Sequence, residues 1–171
     1  MNLTRKNGFT LIEMLLYVGI SAFLLISLSL FLSNNLNSRV KNQSILEVEN
    51  QGRQIMYVIT QEIRQSQEII SPNTSETGNE LSLISKNDEQ ILFTLSGNTL
   101  EMIIDGGDPI NLNNELVAIS DLSFLNLTRE GTPGIIQINF TLSRFSISEK
   151  NEYNYSKEFT TSESLYVSNN Q

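Results

Sequence analysis

The most constraining feature of the sequence is an apolar run from Phe9 to Leu32, in which Glu13 is the only charged side chain. As a helix this run is about 36 Å long, enough to cross a hydrocarbon core of about 30 Å. Arg5 and Lys6 precede the run and favour a cytoplasmic N-terminus. The sequence therefore predicts a single-pass protein of the cytoplasmic (inner) membrane whose later residues are exported.

Two simpler interpretations of this segment are a secretory signal peptide and a plain membrane anchor. A signal peptide has a shorter apolar core, of about 7–15 residues, followed by a small-residue cleavage site. This run is longer, and no clear cleavage site follows it, although Val18–Ala22 offers small residues in its middle. Neither interpretation explains Glu13, because a carboxylate in a membrane helix costs roughly 2.5–3.5 kcal/mol on insertion scales.

The segment from Arg5 to Leu15, RKNGFTLIEML, closely resembles the class III signal sequence of type IV pilins and of the pseudopilins of type II secretion and competence systems. The resemblance implies that a prepilin peptidase cuts between Gly8 and Phe9 on the cytoplasmic side. It also implies that the new amine of Phe9 is N-methylated. The other partners that it implies are further pilins or pseudopilins, a membrane platform protein, a motor ATPase and membrane lipid.

Glu13 has a physical role that agrees with this resemblance. In a bundle of staggered helices, its carboxylate would pair with the Phe9 amine of a neighbouring subunit. A charge pair costs much less in a low dielectric than a lone carboxylate, so the pair would select register and partner. The alternative is that Glu13 lies close enough to the membrane interface to reach the headgroups.

Four segments follow from composition and periodicity: a leader at residues 1–8, a transmembrane and assembly helix at 9–32, an extension of this helix at 33–71, and a β-rich globular head at 72–171. Apolar residues continue at helical spacing to Ile70, and Ser71-Pro72 supplies a stop. We expect the half of the extension from Ile55 to Ile69 to pack on the head.

The head has the pattern of short strands separated by turns. Strands are predicted at 80–85, 90–95, 99–104, 116–127, 135–147 and 157–167. The expected fold is α+β, with a meandering antiparallel sheet and one face covered by the helix, as in type IV pilins. The order of elements resembles the J-type minor pseudopilins and minor pilins, through Gln61–Gln65, Val117, Leu122–Phe124 and Phe159–Thr161.

Composition argues against an enzyme. The chain has no His and no Cys, which excludes a Ser-His-Asp triad, a Cys nucleophile and a Cys/His zinc site. No cofactor is expected. Asp105 and Asp108 flank two glycines and form a weak candidate for Ca²⁺, but a Gly-rich hairpin turn is the better interpretation because Ca²⁺ needs six to eight oxygen ligands.

The charge of the head also limits its partners. From residue 72 onward the chain has 5 basic and 14 acidic residues, a net charge of −9, so direct nucleic-acid binding is not expected. The sequence therefore predicts a non-enzymatic, minor filament subunit of a type IV pilus (fimbrium) or a type II secretion-like pseudopilus. The alternatives are a membrane-anchored extracytoplasmic binding module and a competence pseudopilin for DNA uptake.

Overall fold

The computed structural model describes residues 10–144 and 154–165. It contains one long helix, α1 (Leu11–Gln65), followed by antiparallel β-sheets, which confirms the α+β fold class. The chain divides into two compact units, one ending at Val40 and the other beginning at Lys41.

The first unit has an uncovered apolar surface. A candidate membrane span runs from Leu11 to Ser33, and none of it is buried. Its large apolar side chains are at least half exposed, from Tyr17 at 50% to Leu11 at 85%. Such a surface is unfavourable in water, so lipid or other apolar helices must cover it.

The helix ends five residues earlier than the sequence predicts. It stops at Gln65 instead of Ile70, and Ser66–Ser71 form strand β1. At this junction the Ser66 hydroxyl donates to the Glu62 carbonyl oxygen at 2.7 Å, which occupies a helix carbonyl with a side chain. The β-branched Ile69 and Ile70 and the proline after Ser71 favour extended backbone beyond this point.

The head contains two sheets, so the prediction of a single meandering sheet was wrong. The first sheet has the strand order β1-β3-β4-β5-β6 and the second has the order β2-β7-β8-β9. The remaining strands are β2 (Thr77–Gly78), β3 (Leu81–Ser85), β4 (Gln90–Ser96), β5 (Thr99–Ile104), β6 (Ile110–Asn111), β7 (Ala118–Asn126), β8 (Ile135–Arg144) and β9 (Tyr155–Ser164). Strands β1, β2 and β6 were not expected, because β1 was predicted to be the end of the helix and because β2 and β6 have only two residues each. The expected strand ends at 145–147 and 166–167 lie outside the described residues.

The core of the second unit lies between α1 and the two sheets. One stripe of α1 is fully buried, with Val48, Ile55, Ile59 and Ile63 at 0% exposure. Strand β8 alternates as predicted, since Ile136, Ile138, Phe140 and Leu142 are buried and their neighbours are half-buried. The packing of α1 on the head is confirmed from Ile55 to Ile63. The helix ends at Gln65, and Ile69 packs against the core from strand β1 instead.

A glycine lets strand β9 approach the helix closely. A Cβ atom added at Gly52 would overlap the ring of Phe159. That ring cannot move away freely, because it stacks on Phe140 with ring centroids 5.4 Å apart. Gly52 is therefore required by a tertiary contact, although glycine weakens a helix interior by about 1 kcal/mol relative to alanine.

We expect Gly52→Ala to destabilise the second unit, even though alanine is the better helix former. Overpacking costs about 1–3 kcal/mol and exceeds the gain in propensity, so the net loss is about 1 kcal/mol. Denaturant unfolding of the full chain in detergent micelles measures the effect. The matched control is Gln54→Ala, at an exposed position of the same turn.

The contact with Phe159 can be isolated by a double-mutant cycle. In a Phe159→Leu background, Gly52→Ala should cost less than in the wild type, because the ring that it overlaps has been removed. An unchanged or increased stability of the single variant Gly52→Ala would contradict this account.

Candidate functional site

Glu13 lies in the first turn of α1 and makes a reciprocal contact with Thr10. The backbone N–H and the hydroxyl of Thr10 each donate to Glu13 Oε2 at 3.5 Å. In return the Glu13 N–H is 3.4 Å from Thr10 Oγ1 and 3.1 Å from the Thr10 carbonyl oxygen. This is the geometry of a capping box, which satisfies free N–H groups at a helix start.

The capping contact leaves the Glu13 carboxylate available to a further, cationic partner. Its two hydrogen bonds are long, and the residue is exposed. Within residues 10–144 and 154–165, no Lys or Arg side chain forms a salt bridge with it. Glu13 is thus an acid on an otherwise apolar helix surface, and it can accept a cation supplied from outside the described residues.

The other predicted residues of this site cannot be compared with the structure. Arg5, Lys6, Gly8 and Phe9 lie outside the described residues, so the processing junction and the Phe9 amine stay predictions. Thr10 is a participant that our sequence analysis missed. Its signal was readable, because Thr followed three residues later by Glu is the capping-box pattern.

The Asp105–Asp108 segment forms the expected hairpin turn. Asp105 and Gly106 have φ angles of +49° and +67°, and the Gly107 N–H donates to the Ile104 carbonyl oxygen at 2.8 Å. The Asp105 carboxylate accepts the Gln90 N–H at 2.8 Å, which ties the turn to the start of β4. No group of three or more acidic side chains suited to a metal occurs among the residues that the structure describes.

A second polar region joins α1 to β9 within the second unit. Lys157 Nζ lies 2.6 Å from Glu49 Oε1, and Arg64 lies 2.8 Å from Glu163 Oε2. Arg53 is 3.4 Å from the other oxygen of Glu49. Beside these pairs is an open groove of about 500 Å³, bounded by the helix on one side and by β9 on the other.

These contacts lower the pKa values of both acids that they involve, whereas burial raises the pKa of a third acid nearby in sequence. The hydrogen bond from Lys157 lowers the pKa of Glu49, and the hydrogen bond from Arg64 lowers the pKa of Glu163. The same pair raises the pKa of Arg64. Burial raises the pKa of Glu62, because the charged carboxylate loses solvation.

Comparison with known proteins gives one match, at the N-terminus. The family described as the prokaryotic N-terminal methylation motif matches residues 3–29. No curated protein and no solved structure matches the chain. The matched segment contains Glu13 and most of the apolar span.

The match supports the type IV pilin and pseudopilin family. Proteins with this motif are processed by a prepilin peptidase and assemble with other pilins, and the family is structural rather than catalytic. The motif and the single candidate membrane span found among the described residues together fit a single-pass membrane-anchored protein.

The salt bridges between α1 and β9 predict a loss of stability in acid. Because the folded-state pKa of Glu49 is lowered, its contribution is present above the ordinary pKa and is lost as the pH falls through the folded-state pKa. Glu49→Gln should therefore lower stability at pH 7 and reduce the further loss between about pH 5 and pH 3. The measurement is denaturant unfolding of the full chain in micelles across that range.

Glu62→Gln is the control, because the pKa of Glu62 is shifted in the direction opposite to that of Glu49. Burial raises the pKa of Glu62, so its contribution is present below the ordinary pKa and is lost as the pH rises through the folded-state value. Glu62→Gln should thus leave the loss in acid at least as steep as in the wild type. An unchanged pH profile for Glu49→Gln would refute the assigned role of the Lys157 pair.

Proposed function

We propose that this chain is a minor structural subunit of a type IV pilus or of a type II secretion-like pseudopilus. It is stored in the inner membrane, processed by prepilin peptidase and assembled through its N-terminal helix. The observation that carries the proposal is the methylation motif at residues 3–29, in register with an acid on an exposed apolar helix. Neither feature is expected of a simple anchor.

Cleavage between Gly8 and Phe9 would remove the leader and keep the membrane helix. Loss of Arg5 and Lys6 changes the formal net charge from −8 to −10, because 9 basic residues then face 19 acidic ones. The cut creates a cationic amine at Phe9, and N-methylation leaves that amine cationic. The basic leader favours a cytoplasmic N-terminus, with the head outside.

Glu13 would then set the axial position of each subunit. Among the residues that the structure describes, its carboxylate is held only by two 3.5 Å contacts to Thr10, which a stronger cationic partner can replace. The Phe9 amine of a neighbouring helix is such a partner, and it exists only after cleavage. Apolar helices can slide past one another at little cost, so a single charge pair would define their offset.

The proposed partners are the prepilin peptidase, other pilins or pseudopilins, a polytopic platform protein and a motor ATPase. The minor role is supported by the order of elements in the head, which resembles J-type minor subunits. The alternatives are a membrane-anchored extracytoplasmic binding module and a competence pseudopilin. A binding module needs no cut at Gly8, so processing separates it from a filament subunit.

The first test concerns processing. Co-expression with an active prepilin peptidase should shorten the chain by the eight leader residues and add a methyl group to Phe9. Gly8→Ala should slow the cut, because the peptidase would no longer find the glycine that ends the leader. Intact-mass measurement of the membrane-extracted protein gives the result. A chain that keeps Met1 in the presence of active peptidase would eliminate the proposal.

The second test separates assembly from membrane insertion. Glu13→Val should insert at least as well as the wild type, because it removes an unfavourable charge from the apolar span. Its incorporation into sheared filaments should fall about tenfold or more, because the charge pair is lost. Glu13→Gln should behave similarly, since an amide cannot pair as an anion. Wild-type incorporation of Glu13→Val would disprove the pairing mechanism and would favour an acid that reaches the headgroups.

A further inference from the structure

Strand β9 is a long and regular sheet edge. The other edge strands are interrupted or short, since β1 has two register shifts and β2 and β6 have two residues each. Strand β9 pairs with β8 over ten consecutive residues without a shift. Over residues 10–144 and 154–165 it has no second neighbour, so its outer side carries unpaired backbone N–H and C=O groups. Such an edge is a template for an added strand.

Charged side chains on an edge strand commonly prevent it from pairing with another strand, but two of the charged side chains of β9 lie on its inner face. Lys157 and Glu163 are paired with Glu49 and Arg64 of α1, on the inner face of the sheet. On the outer face, β9 presents a row with a single charge: Ser156, Glu158, Thr160, Ser162 and Ser164. Charged side chains therefore do little to block an approaching strand.

The helix side of the groove provides a surface that an added strand can contact. The groove of about 500 Å³ beside β9 is lined on the helix side by Arg53, Met56, Tyr57, Thr60 and Arg64. The Arg53 and Arg64 side chains are 63% and 61% exposed although each lies beside one glutamate, and Tyr57 is 64% exposed. Although the chain has a net charge of −8, the helix side of the groove offers two accessible guanidinium groups and an aromatic ring.

An extended segment fits the groove better than a second copy of the head does. Strand β9 of another copy would bring its own α1, which contacts the inner face of β9 through Gly52 and the two salt bridges. Two helices would then compete for the space beneath adjacent strands, which are only about 4.8 Å apart. A strand without a helix of its own fits that space.

We propose that β9 and the adjoining face of α1 bind an extended strand of another polypeptide, whose side facing the helix carries two apolar side chains between two acidic ones. Main-chain hydrogen bonds to β9 give affinity, and the groove gives specificity. The acidic side chains meet Arg53 and Arg64, and the apolar ones cover Met56 and Tyr57. This inference does not depend on the proposed function.

The spacing of the two arginines restricts the pattern further. They are eleven residues apart on α1, about 16.5 Å along the helix axis. Side chains on one face of a strand are about 6.6 Å apart, so two acids six residues apart span about 20 Å. Flexible Glu and Arg side chains cover the difference. The expected pattern is an acid, two alternate apolar residues and a second acid, all on one face.

The test uses the full chain in detergent micelles and synthetic nonapeptides. The probe TETVTITET carries the expected pattern, TTEEVITTT has the same composition without alternation, and TKTVTITKT reverses the charge. We expect the first peptide to bind at least about tenfold more tightly than the other two. Binding should slow hydrogen exchange at alternate amides of β9, those that do not face β8.

Variants of residues that line the groove test whether the peptide binds there. Arg53→Glu and Tyr57→Ala should each weaken binding of TETVTITET by about five- to tenfold, and both positions are exposed enough to leave folding intact. Arg129→Glu is the control for net charge, because it makes the same change outside the groove. Equal binding of the three peptides, or protection outside β9, would overturn the proposal. An effect of Arg129→Glu as large as that of Arg53→Glu would also overturn it.

Discussion

The apolar surface from Leu11 to Ser33 imposes the main physical constraint on this chain, because the protein leaves it uncovered. Burying such surface is worth roughly 25 cal/mol per Å², so leaving it in water is strongly unfavourable. A lipid bilayer and a bundle of similar helices can each cover it. A protein that moves from the first environment to the second needs no change of its own fold at this segment, which suits a subunit stored in a membrane and later assembled.

Within this surface, Glu13 would supply, in the proposed assembly, the specificity that apolar contacts lack. Packing between apolar helices in lipid depends on close fit and on a few polar contacts. Glu13 already takes part in a capping box with Thr10, so its carboxylate is partly satisfied before any partner arrives. This contact lowers the cost of storing the acid. It is weak enough for a cationic amine to replace it.

The second unit depends on a different use of the same helix. From Val48 to Ile63 the helix buries one stripe under two sheets, and its opposite side stays exposed. Strand β9 is held against the helix by Lys157, by Glu163 and by the ring of Phe159 over Gly52. These contacts direct the charges of β9 inward and leave its outer backbone open. The contacts that stabilise the head therefore also leave the outer edge of β9 free to pair with another strand.

Local chemistry was sufficient to predict much of this protein. The apolar run, the acid within it, the alternation of β8 and the turn at Asp105–Gly106 all depend on neighbours in sequence, so periodicity and turn preferences show them directly. The α+β class followed from the same signals. The capping contact of Thr10 could also have been predicted from the sequence, although our sequence analysis missed it.

Tertiary structure alone decided the remaining features. Helical spacing continues to Ile70, yet pairing with β3 makes Ser66–Ser71 a strand, because hydrogen bonds to a distant segment outweigh a weak local preference. The division into two sheets depends on partners far along the chain, as in the pairing of β2 with β7. Nothing in the local sequence around Gly52 indicates that a side chain is excluded there, and only the ring of Phe159 shows why. The sequence by itself determined which segments are apolar, charged or extended, whereas long-range contacts determined which of their surfaces remain open.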